Sequence, residues 1–232
     1  DIWNVPFLRN NNFTGRVGVF QAIEASLDSQ VPSSRIHTIH GLSGTGKTQV
    51  LVEYAYRFST KYDLVWWIKS ESPETILFNY LDLAEKVGLD IYDIEEPKKR
   101  IEFIRRWLET NGNWLLIFDN AKRPEDLAGF IPRSATGDVL ISSIYPHWGG
   151  LCKDTQIPAF SREESLEYIY KRTKQDCIGE ANVLAESLGD LPLALAQACA
   201  HIEAKGLQIS DYNRQYRKYQ TILLDRSIPQ DY

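Results

Sequence analysis

Short apolar runs of strand length alternate with amphipathic segments over the first two thirds of the chain. The apolar runs predict strands at residues 35–40, 63–69, 113–121 and 137–144, with a short one near 155–160. Apolar side chains at helical spacing predict helices at residues 46–58, 73–89 and 98–109. Strands that alternate with helices favour an α/β fold, with a mostly parallel sheet covered by helices on both faces.

The pattern changes after the last of these strands, and only helices are predicted from there on. Ser161 is followed three residues later by a glutamate, which is the sequence of a capping box at a helix start. Pro192 stands where a proline suits the first turn of a later helix. The change in pattern predicts two domains, over residues 1–158 and 159–232.

Several side chains that could carry chemistry are predicted to be structural instead. A stripe at helical spacing near the C-terminus is expected to pack in a core: Tyr212, Tyr216, Tyr219 and Leu223. The cysteines are odd in number, have no CxxC pairing and are expected to be buried free thiols: Cys152, Cys177 and Cys199. The histidines are scattered along the chain: His37, His40, His147 and His201.

Composition and charge narrow the possible partners. The 232 residues carry 26 Lys and Arg against 31 Asp and Glu, so the net charge of −5 offers no basic field for nucleic acid or anionic lipid. No apolar run is long enough to cross a bilayer, and the first residues do not resemble a secretory signal. We therefore expect a cytoplasmic protein without membrane or nucleic-acid partners. The lack of any methionine suggests a piece of a longer chain.

The most specific motif lies between the first predicted strand, which is weak by composition, and the helix that follows it. The spacing Gly41-x-x-x-x-Gly46-Lys47-Thr48 matches a phosphate-binding loop in full. In such a loop glycines allow backbone N–H groups to converge on a phosphate, and the following helix adds its positive end. The lysine reaches the β- and γ-phosphates, and the threonine hydroxyl is a ligand for Mg²⁺.

A second acid supports this interpretation. Asp119 ends an apolar strand 72 residues after Lys47, where a second motif of P-loop proteins completes the Mg²⁺ site. The two motifs together predict that the chain binds a nucleotide with Mg²⁺. They do not decide whether the nucleotide is hydrolysed or only held.

Five segments in order resemble the motifs of the NB-ARC domain, the nucleotide switch of STAND-class signalling ATPases. They are NNFTGR at 11–16, GLSGTGKTQ at 41–49, LLIFDNA at 115–121, GDVLISSIYPHW at 137–148 and LGDLPLALAQA at 188–198. The set is most similar to members in which the domain precedes tetratricopeptide repeats. The resemblance implies a P-loop three-layer α/β sandwich followed by an all-helical lid subdomain.

The resemblance also implies roles for single residues. The segment that packs beside adenine and ribose corresponds to Phe13, Thr14, Gly15 and Arg16. The phosphate loop and the next helical turn correspond to Gly41, Leu42, Ser43, Gly44, Thr45, Gly46, Lys47, Thr48 and Gln49. Thr48 and Asp119 would hold Mg²⁺, and Pro192 would touch adenine from the helical lid when the domain is closed around ADP.

Two positions depart from the family pattern. Many members have a second acid directly after the first, as a candidate to activate water, but here Asn120 stands in that place. An asparagine can orient a water molecule but cannot take its proton. Where the family has an arginine that senses the γ-phosphate, this chain has Ile144. The alternative that Ile144 is a buried core residue stays open from the sequence. We therefore expect ATP hydrolysis to be slow or absent.

The first functional hypothesis is a signalling switch, closed with ADP and opening or forming a homo-oligomer with ATP. Its implied partners are effector and repeat-sensor domains of the same full-length chain, with immunity among the compatible outputs. Two alternatives stay open from the sequence: a catalytic P-loop ATPase of motor or kinase type, for which no dedicated motif is found, and a scaffold that binds no nucleotide. The intact loop, with Lys47, Thr48 and Asp119, favours the switch over the scaffold.

Overall fold

A computed structural model describes residues 1–28, 35–133, 136–148 and 152–226, with side chains up to residue 219. The chain divides into two compact units. The sheet unit comprises residues 1–11 and 16–158, and the helical unit comprises residues 12–15 and those from 159 onward. Residues 12–15, which the sequence analysis assigned to the first domain, are therefore part of the helical unit.

One parallel sheet is the centre of the sheet unit. Its six described strands are β1 (Ile2–Trp3), β2 (Ile36–His40), β3 (Leu64–Lys69), β4 (Trp114–Ala121), β5 (Asp138–Ser143) and β6 (Lys153–Gln156). Their spatial order is β1-β3-β4-β5-β2-β6, and all neighbouring pairs are parallel. The predicted α/β class is confirmed. Because the strands are parallel, their carboxyl ends share one edge, with β5 between β2 and β4.

Helices connect the strands and cover the sheet. They are α1 (Val17–Leu27), α2 (Lys47–Arg57), α3 (Pro73–Lys86), α4 (Pro97–Thr110) and the single turn α5 (Pro124–Leu127), with a 3₁₀ turn at Ser59–Lys61. The predicted helices correspond to α2, α3 and α4. The sequence analysis did not predict α1, α5 or the two-residue strand β1. The Arg16 side chain makes no capping hydrogen bond at the start of α1, so the usual sequence signal of a helix start is missing.

Alternation along the strands separates the two faces of the sheet. Trp66 and Ile68 of β3 and Leu116 and Phe118 of β4 belong to one buried cluster with α3 and α4. The intervening side chains point to the opposite face. Asp119 is one of these, and its carboxylate contacts Thr48 of α2. The third layer on that face is therefore formed by α2.

The edge strand β6 was predicted too late in the sequence. It comprises Lys153–Gln156 rather than residues near 155–160, and its side chains are mostly exposed. Ile157 still donates its N–H to the His40 carbonyl of β2 at 2.7 Å, but Pro158 after it has no N–H group to continue the ladder. Polar residues suit an edge strand. Because β6 has no pattern of apolar residues, the sequence did not predict a strand at these positions.

The described residues of the helical unit form four helices, α6 (Arg162–Thr173), α7 (Ile178–Ser187), α8 (Pro192–Lys205) and α9 (Ile209–Arg226). The predicted capping box is confirmed, since the Ser161 hydroxyl accepts from the Glu164 N–H at 3.2 Å and the Glu164 carboxylate accepts from the Ser161 N–H at 2.9 Å. One buried core joins the helices, and its members include Ile169, Leu184, Leu195, Ile202 and Ile209. Among the described residues, no helix combines the length and apolar character that a membrane span requires.

Two predictions about buried side chains need correction. Cys199 is buried, but Cys152 and Cys177 are only partly buried; all three are free thiols. The tyrosine stripe forms a core face only in part: Tyr212 packs against the core of the helical unit, Tyr216 is partly buried and Tyr219 is 64% exposed. Asn213 takes the buried position on this part of α9, where its amide donates to the Glu180 carbonyl at 3.0 Å. The Leu223 side chain lies outside the described residues.

The buried His37 of β2 predicts a pH dependence of stability. Burial lowers the pKa of His37 to about 4, with Lys153 adding to the effect and Asp154 opposing it. The unfolded chain takes up this proton near pH 6.5, but the folded chain does so only near pH 4. Stability is therefore lost as the pH falls from 6.5 towards 4, by roughly 3 kcal/mol at most.

Urea unfolding at pH 7.0, 5.5 and 4.5 measures this loss. We expect His37→Gln to remove much of the pH dependence, while a control change at the exposed His201, His201→Gln, leaves it unchanged. Equal pH dependence in both variants would show that His37 is not the responsible group.

Candidate functional site

The glycine loop joins the end of β2 to the start of α2 at the carboxyl edge of the sheet. Gly44 and Gly46 have φ angles of 81° and 91°, in the left-handed region that favours glycine. Gly46 is also the N-cap residue of α2. The first N–H groups of a helix have no partner within it, so this turn offers donors to an anion.

Gly41 is constrained by a close approach of backbone. Its N–H donates to the Ser143 carbonyl of β5 at 3.3 Å. A Cβ atom added at Gly41 would lie 2.5 Å from the carbonyl oxygen of Ile157, which follows β6. The loop therefore starts from a backbone position that is fixed by the strands on both sides of β2, and only glycine fits there without displacement.

The Lys47 ammonium lies over the loop itself. Its Nζ donates to the carbonyl oxygens of Gly41 at 2.9 Å and Leu42 at 2.8 Å. Partial burial lowers the pKa of this ammonium, and the charge of Asp119 opposes the shift. The lysine is thus held beside the loop by acceptors that an anionic ligand could replace.

Asp119 accepts hydrogen bonds from two neighbouring elements. The Thr48 hydroxyl donates to its Oδ1 at 3.1 Å, and the Ser142 hydroxyl of β5 donates to the same oxygen at 2.5 Å. Burial raises the pKa of the Asp119 carboxyl above its usual value, although both hydrogen bonds oppose the increase. A nearby cation would favour the charged form that burial penalises.

Asn120 lies in an irregularity of the β4–β5 ladder. Phe118 pairs with Ile141 and Ala121 with Ser143, so two residues of β4 oppose Ser142 alone, as in a β-bulge. Asn120 has a φ of 64°, a conformation that asparagine tolerates better than most residues. Its N–H donates to the Ser142 hydroxyl at 2.8 Å, and its side chain is exposed. The bulge leaves an amide at the open edge of the site.

Ile144 follows the end of β5 and is 63% exposed. The possibility that it is a core residue is therefore wrong. Ser143, just before it, is buried, and its hydroxyl donates to the Ala121 carbonyl at 2.7 Å. An exposed isoleucine at this edge has no charge with which to contact an anion.

Arg16 and Gln49 connect the loop to the N-terminal segment of the sheet unit. The buried Arg16 guanidinium donates from Nη2 to the Thr45 carbonyl of the loop at 3.0 Å. Gln49, in the first turn of α2, accepts from the Asn10 amide at 3.0 Å. Of the other loop residues, Leu42 and Ser43 are exposed. Arg16 thus contacts the loop backbone directly.

The remaining predicted site residues belong to the helical unit. The Phe13 carbonyl accepts from the Lys171 ammonium at 2.9 Å, and the Thr14 hydroxyl donates to the Asn12 carbonyl at 3.0 Å. A Cβ added at Gly15 would overlap the Glu164 side chain. Pro192 is the first residue of α8 and is partly buried. These contacts hold the residues within their own unit.

Thr48 and Asp119 form the kind of ligand pair that suits Mg²⁺. A hydroxyl and a carboxylate are hard oxygen donors, and Mg²⁺ in phosphate sites is held by one or two protein ligands together with phosphate oxygens and water. In the described part of the chain, no group of three or more His, Cys, Asp or Glu side chains could hold a metal ion by protein ligands alone. The donor set therefore fits a metal that arrives with a phosphate.

Ser142 is a residue of this site that the sequence analysis did not select. It contacts both the carboxylate of Asp119 and the backbone of Asn120. The signal that could have identified it is a pair of serines at the end of a strand, where parallel strands direct polar groups to one edge. That signal requires knowing that β5 lies beside β4.

Comparison with known proteins gives a consistent picture. No protein-family model matches the chain. The chain is 25% identical, over 92% of its length, to a nucleotide-binding leucine-rich repeat (NLR)-like protein of the fungus Hyaloscypha variabilis. The matched region is 24% of that protein, so the chain spans about a quarter of its length.

Two solved structures share the fold. One is a signal transduction ATPase with numerous domains (STAND) from Pyrococcus horikoshii with a tetratricopeptide repeat sensor, at a TM-score of 0.57 and 18% identity, covering 81% of this chain and 30% of that protein. The other is the Cdc6 protein of Pyrobaculum aerophilum, at a TM-score of 0.62 and 15% identity, covering 87% and 65%. At these identities the likeness concerns the fold.

The contact at Gly41 predicts that a single methyl group disturbs the loop. Because the added Cβ would meet the Ile157 carbonyl, we expect Gly41→Ala to lower the free energy of unfolding by about 1–3 kcal/mol. Gly18 in α1 is a matched control, since a Cβ there meets nothing within 4 Å. Gly18→Ala should be neutral or stabilising by up to ~1 kcal/mol. Urea unfolding compares the two, and equal effects would contradict the assigned contact.

Proposed function

We propose that this chain, a P-loop NTPase domain of the NB-ARC and STAND type, is an ADP/ATP-binding switch with slow hydrolysis at most. The observation that carries the proposal is the complete loop with Lys47 above it and the Thr48–Asp119 pair beside it. The proposal extends beyond the fold that the solved structures share, because it assigns a ligand and a rate.

The geometry of Lys47 supports phosphate binding. Its ammonium contacts two loop carbonyls, and the oxygens of a β- or γ-phosphate would be stronger acceptors because they are charged. Burial lowers the pKa of this lysine and so penalises its charged form, which a phosphate would favour again. An anion in the loop would therefore stabilise the charged form of Lys47.

The raised pKa of Asp119 supports a cation at the same site. Thr48 and Asp119 would hold Mg²⁺, which when bound neutralises phosphate charge. The Asp119 carboxylate also accepts a hydrogen bond from the Ser142 hydroxyl, so it is oriented before any ligand binds. A fixed carboxylate and hydroxyl lower the ordering cost of metal binding.

Slow hydrolysis follows from the two departures at the open edge. Ile144 is exposed where a cation would be needed, and Asn120 presents an amide where a carboxylate would be needed. In phosphoryl transfer a missing cation can cost about 10³-fold or more in rate. The site is therefore suited to hold a nucleoside triphosphate for long periods without hydrolysing it.

Several finer assignments stay predictions. They include the preference for ADP in a closed form, contact of Phe13 and Pro192 with adenine, the lid role of the helical unit, and assembly with ATP. The fungal relative is named as nucleotide-binding and NLR-like, and the archaeal STAND protein carries a repeat sensor, which supports a repeat-sensor domain as a partner; an effector domain stays a prediction. A role in immunity or another signalling output belongs to the same group of predictions.

The first test removes the Lys47 charge. We expect Lys47→Ala to bind ATP and ADP at least about 100-fold more weakly while staying folded, because the lysine contacts only loop carbonyls. Lys61→Ala is the control, since Lys61 lies before β3, at the amino end of the strands. Calorimetric titration with ATP, ADP and GTP gives the affinities, and we expect adenine nucleotides to be preferred. A folded Lys47→Ala variant with unchanged affinity would disprove the loop assignment.

The second test supplies the missing cation. We expect the wild-type chain to bind ATP with Mg²⁺ but to turn over less than about once per minute. Because Ile144 is exposed, Ile144→Arg should be tolerated and should raise turnover about tenfold or more. Ile178→Arg, at a residue of α7 that is 67% exposed, is the control. Wild-type turnover of several per second would contradict the proposed slow hydrolysis.

A further inference from the structure

The end of β3 brings another acid to the carboxyl edge of the sheet. Lys69 pairs with Asp119 in the parallel β3–β4 ladder, and the Ser70 N–H donates to the Asp119 carbonyl at 2.9 Å. Glu71 follows immediately and is exposed. The chain at Glu71 is therefore one residue beyond a direct hydrogen bond to the backbone of Asp119.

Strand pairing places the last residue of β3 on the face of the sheet that carries the site. Paired residues of neighbouring strands point to the same face, so Lys69 shares the face of Asp119, on which Thr48 lies. Ser70 is buried, and the chain bends at Glu71 and Ser72, so that Glu71 is exposed directly beyond this end of β3. The helix α3 begins only at Pro73, after its N-cap Ser72.

The electrostatics of Asp119 agree with this placement. The pKa of its carboxyl is raised mainly by burial, and the negative charge of Glu71 adds to the increase. Glu71 is therefore near enough for its charge to act on Asp119, and the hydroxyl hydrogens of Thr48 and Ser142 are donated to Asp119 rather than to Glu71. Its carboxylate is available for another acceptor role.

We propose that Glu71 is the general base for the slow ATP hydrolysis of this domain, in the role that Asn120 cannot fill. The inference rests on the proposed function, since it requires ATP in the loop. Glu71 takes a proton from a water molecule whose oxygen bonds to the γ-phosphorus. The bond from that phosphorus to the β–γ bridging oxygen breaks, and its electron pair stays on the oxygen of ADP. The products are ADP and inorganic phosphate, to which the proton is finally passed.

The test compares Glu71→Gln with Glu74→Gln in the same chain. Glu74 is an exposed acid in the first turn of α3, three residues away, and its carboxylate interacts with the Ser72 cap. For each variant we would measure ATP and ADP affinity by calorimetry, single-turnover hydrolysis, and affinity for ADP with aluminium fluoride, a transition-state analogue that includes the attacking water.

We expect Glu71→Gln to leave ATP and ADP affinities within about twofold of wild type, because the glutamine keeps the shape and removes only the charge. Hydrolysis should fall about 100-fold or more, and affinity for the aluminium fluoride complex about tenfold or more. Glu74→Gln should change none of these. Thermal unfolding of both variants checks that each is folded.

The outcomes separate the two proposals. If the wild-type chain binds no ATP, the proposed function fails and the role of Glu71 fails with it. If it binds ATP, but Glu71→Gln hydrolyses ATP and binds the aluminium fluoride complex as wild type does, only the role of Glu71 is overturned. ATP binding with no hydrolysis above the uncatalysed rate would also overturn that role and leave nucleotide binding intact.

Discussion

The hydrogen bonds to the Asp119 carboxylate join three elements at the carboxyl edge of the sheet. Thr48 reaches it from α2 and Ser142 from β5, while Asp119 itself ends the regular part of β4. The glycine loop is anchored to the same strands, since the Gly41 N–H donates to the Ser143 carbonyl. The position of the loop relative to its acid is therefore set by β5, which lies between the strands that carry them.

This dependence on β5 explains what the sequence could predict and what it could not. The loop was predictable because its chemistry is local: glycines, a lysine and a threonine at fixed spacing before a helix. Asp119 was predictable because an apolar run ends in an acid. Ser142 was not, because its role depends on strand order, and no local pattern states that β5 lies between β2 and β4. The bulge that gives Asn120 its positive φ also arises from pairing.

The errors in the fold have similar physical causes. β6 is a polar edge strand, so it lacks the apolar run that marks a buried strand. The strand was therefore predicted at the apolar residues that follow β6. The tyrosine stripe has helical spacing, which shows that these side chains share one face of a helix. The spacing does not show whether another element packs against that face. In α9 Asn213 is buried one turn after the buried Ile209, because its amide donates to Glu180, while Tyr219 stays exposed. Periodicity alone cannot make that distinction.

A parallel sheet also explains how charge can be supplied to a site from a neighbouring strand. The carboxyl ends of β3, β4 and β5 lie side by side, so a residue just beyond any of them is close to Asp119. β4 offers Asn120 and β5 is followed by Ile144, neither of which is charged, whereas β3 is followed by Glu71. β3 itself ends in Lys69, and Glu71 lies two residues beyond it. A carboxylate such as that of Glu71 can accept a proton but cannot stabilise the negative charge that spreads over a transferring phosphoryl group. Under the proposed function, this edge would bind a nucleotide and release its γ-phosphate slowly, because neither Asn120 nor Ile144 supplies a charge there.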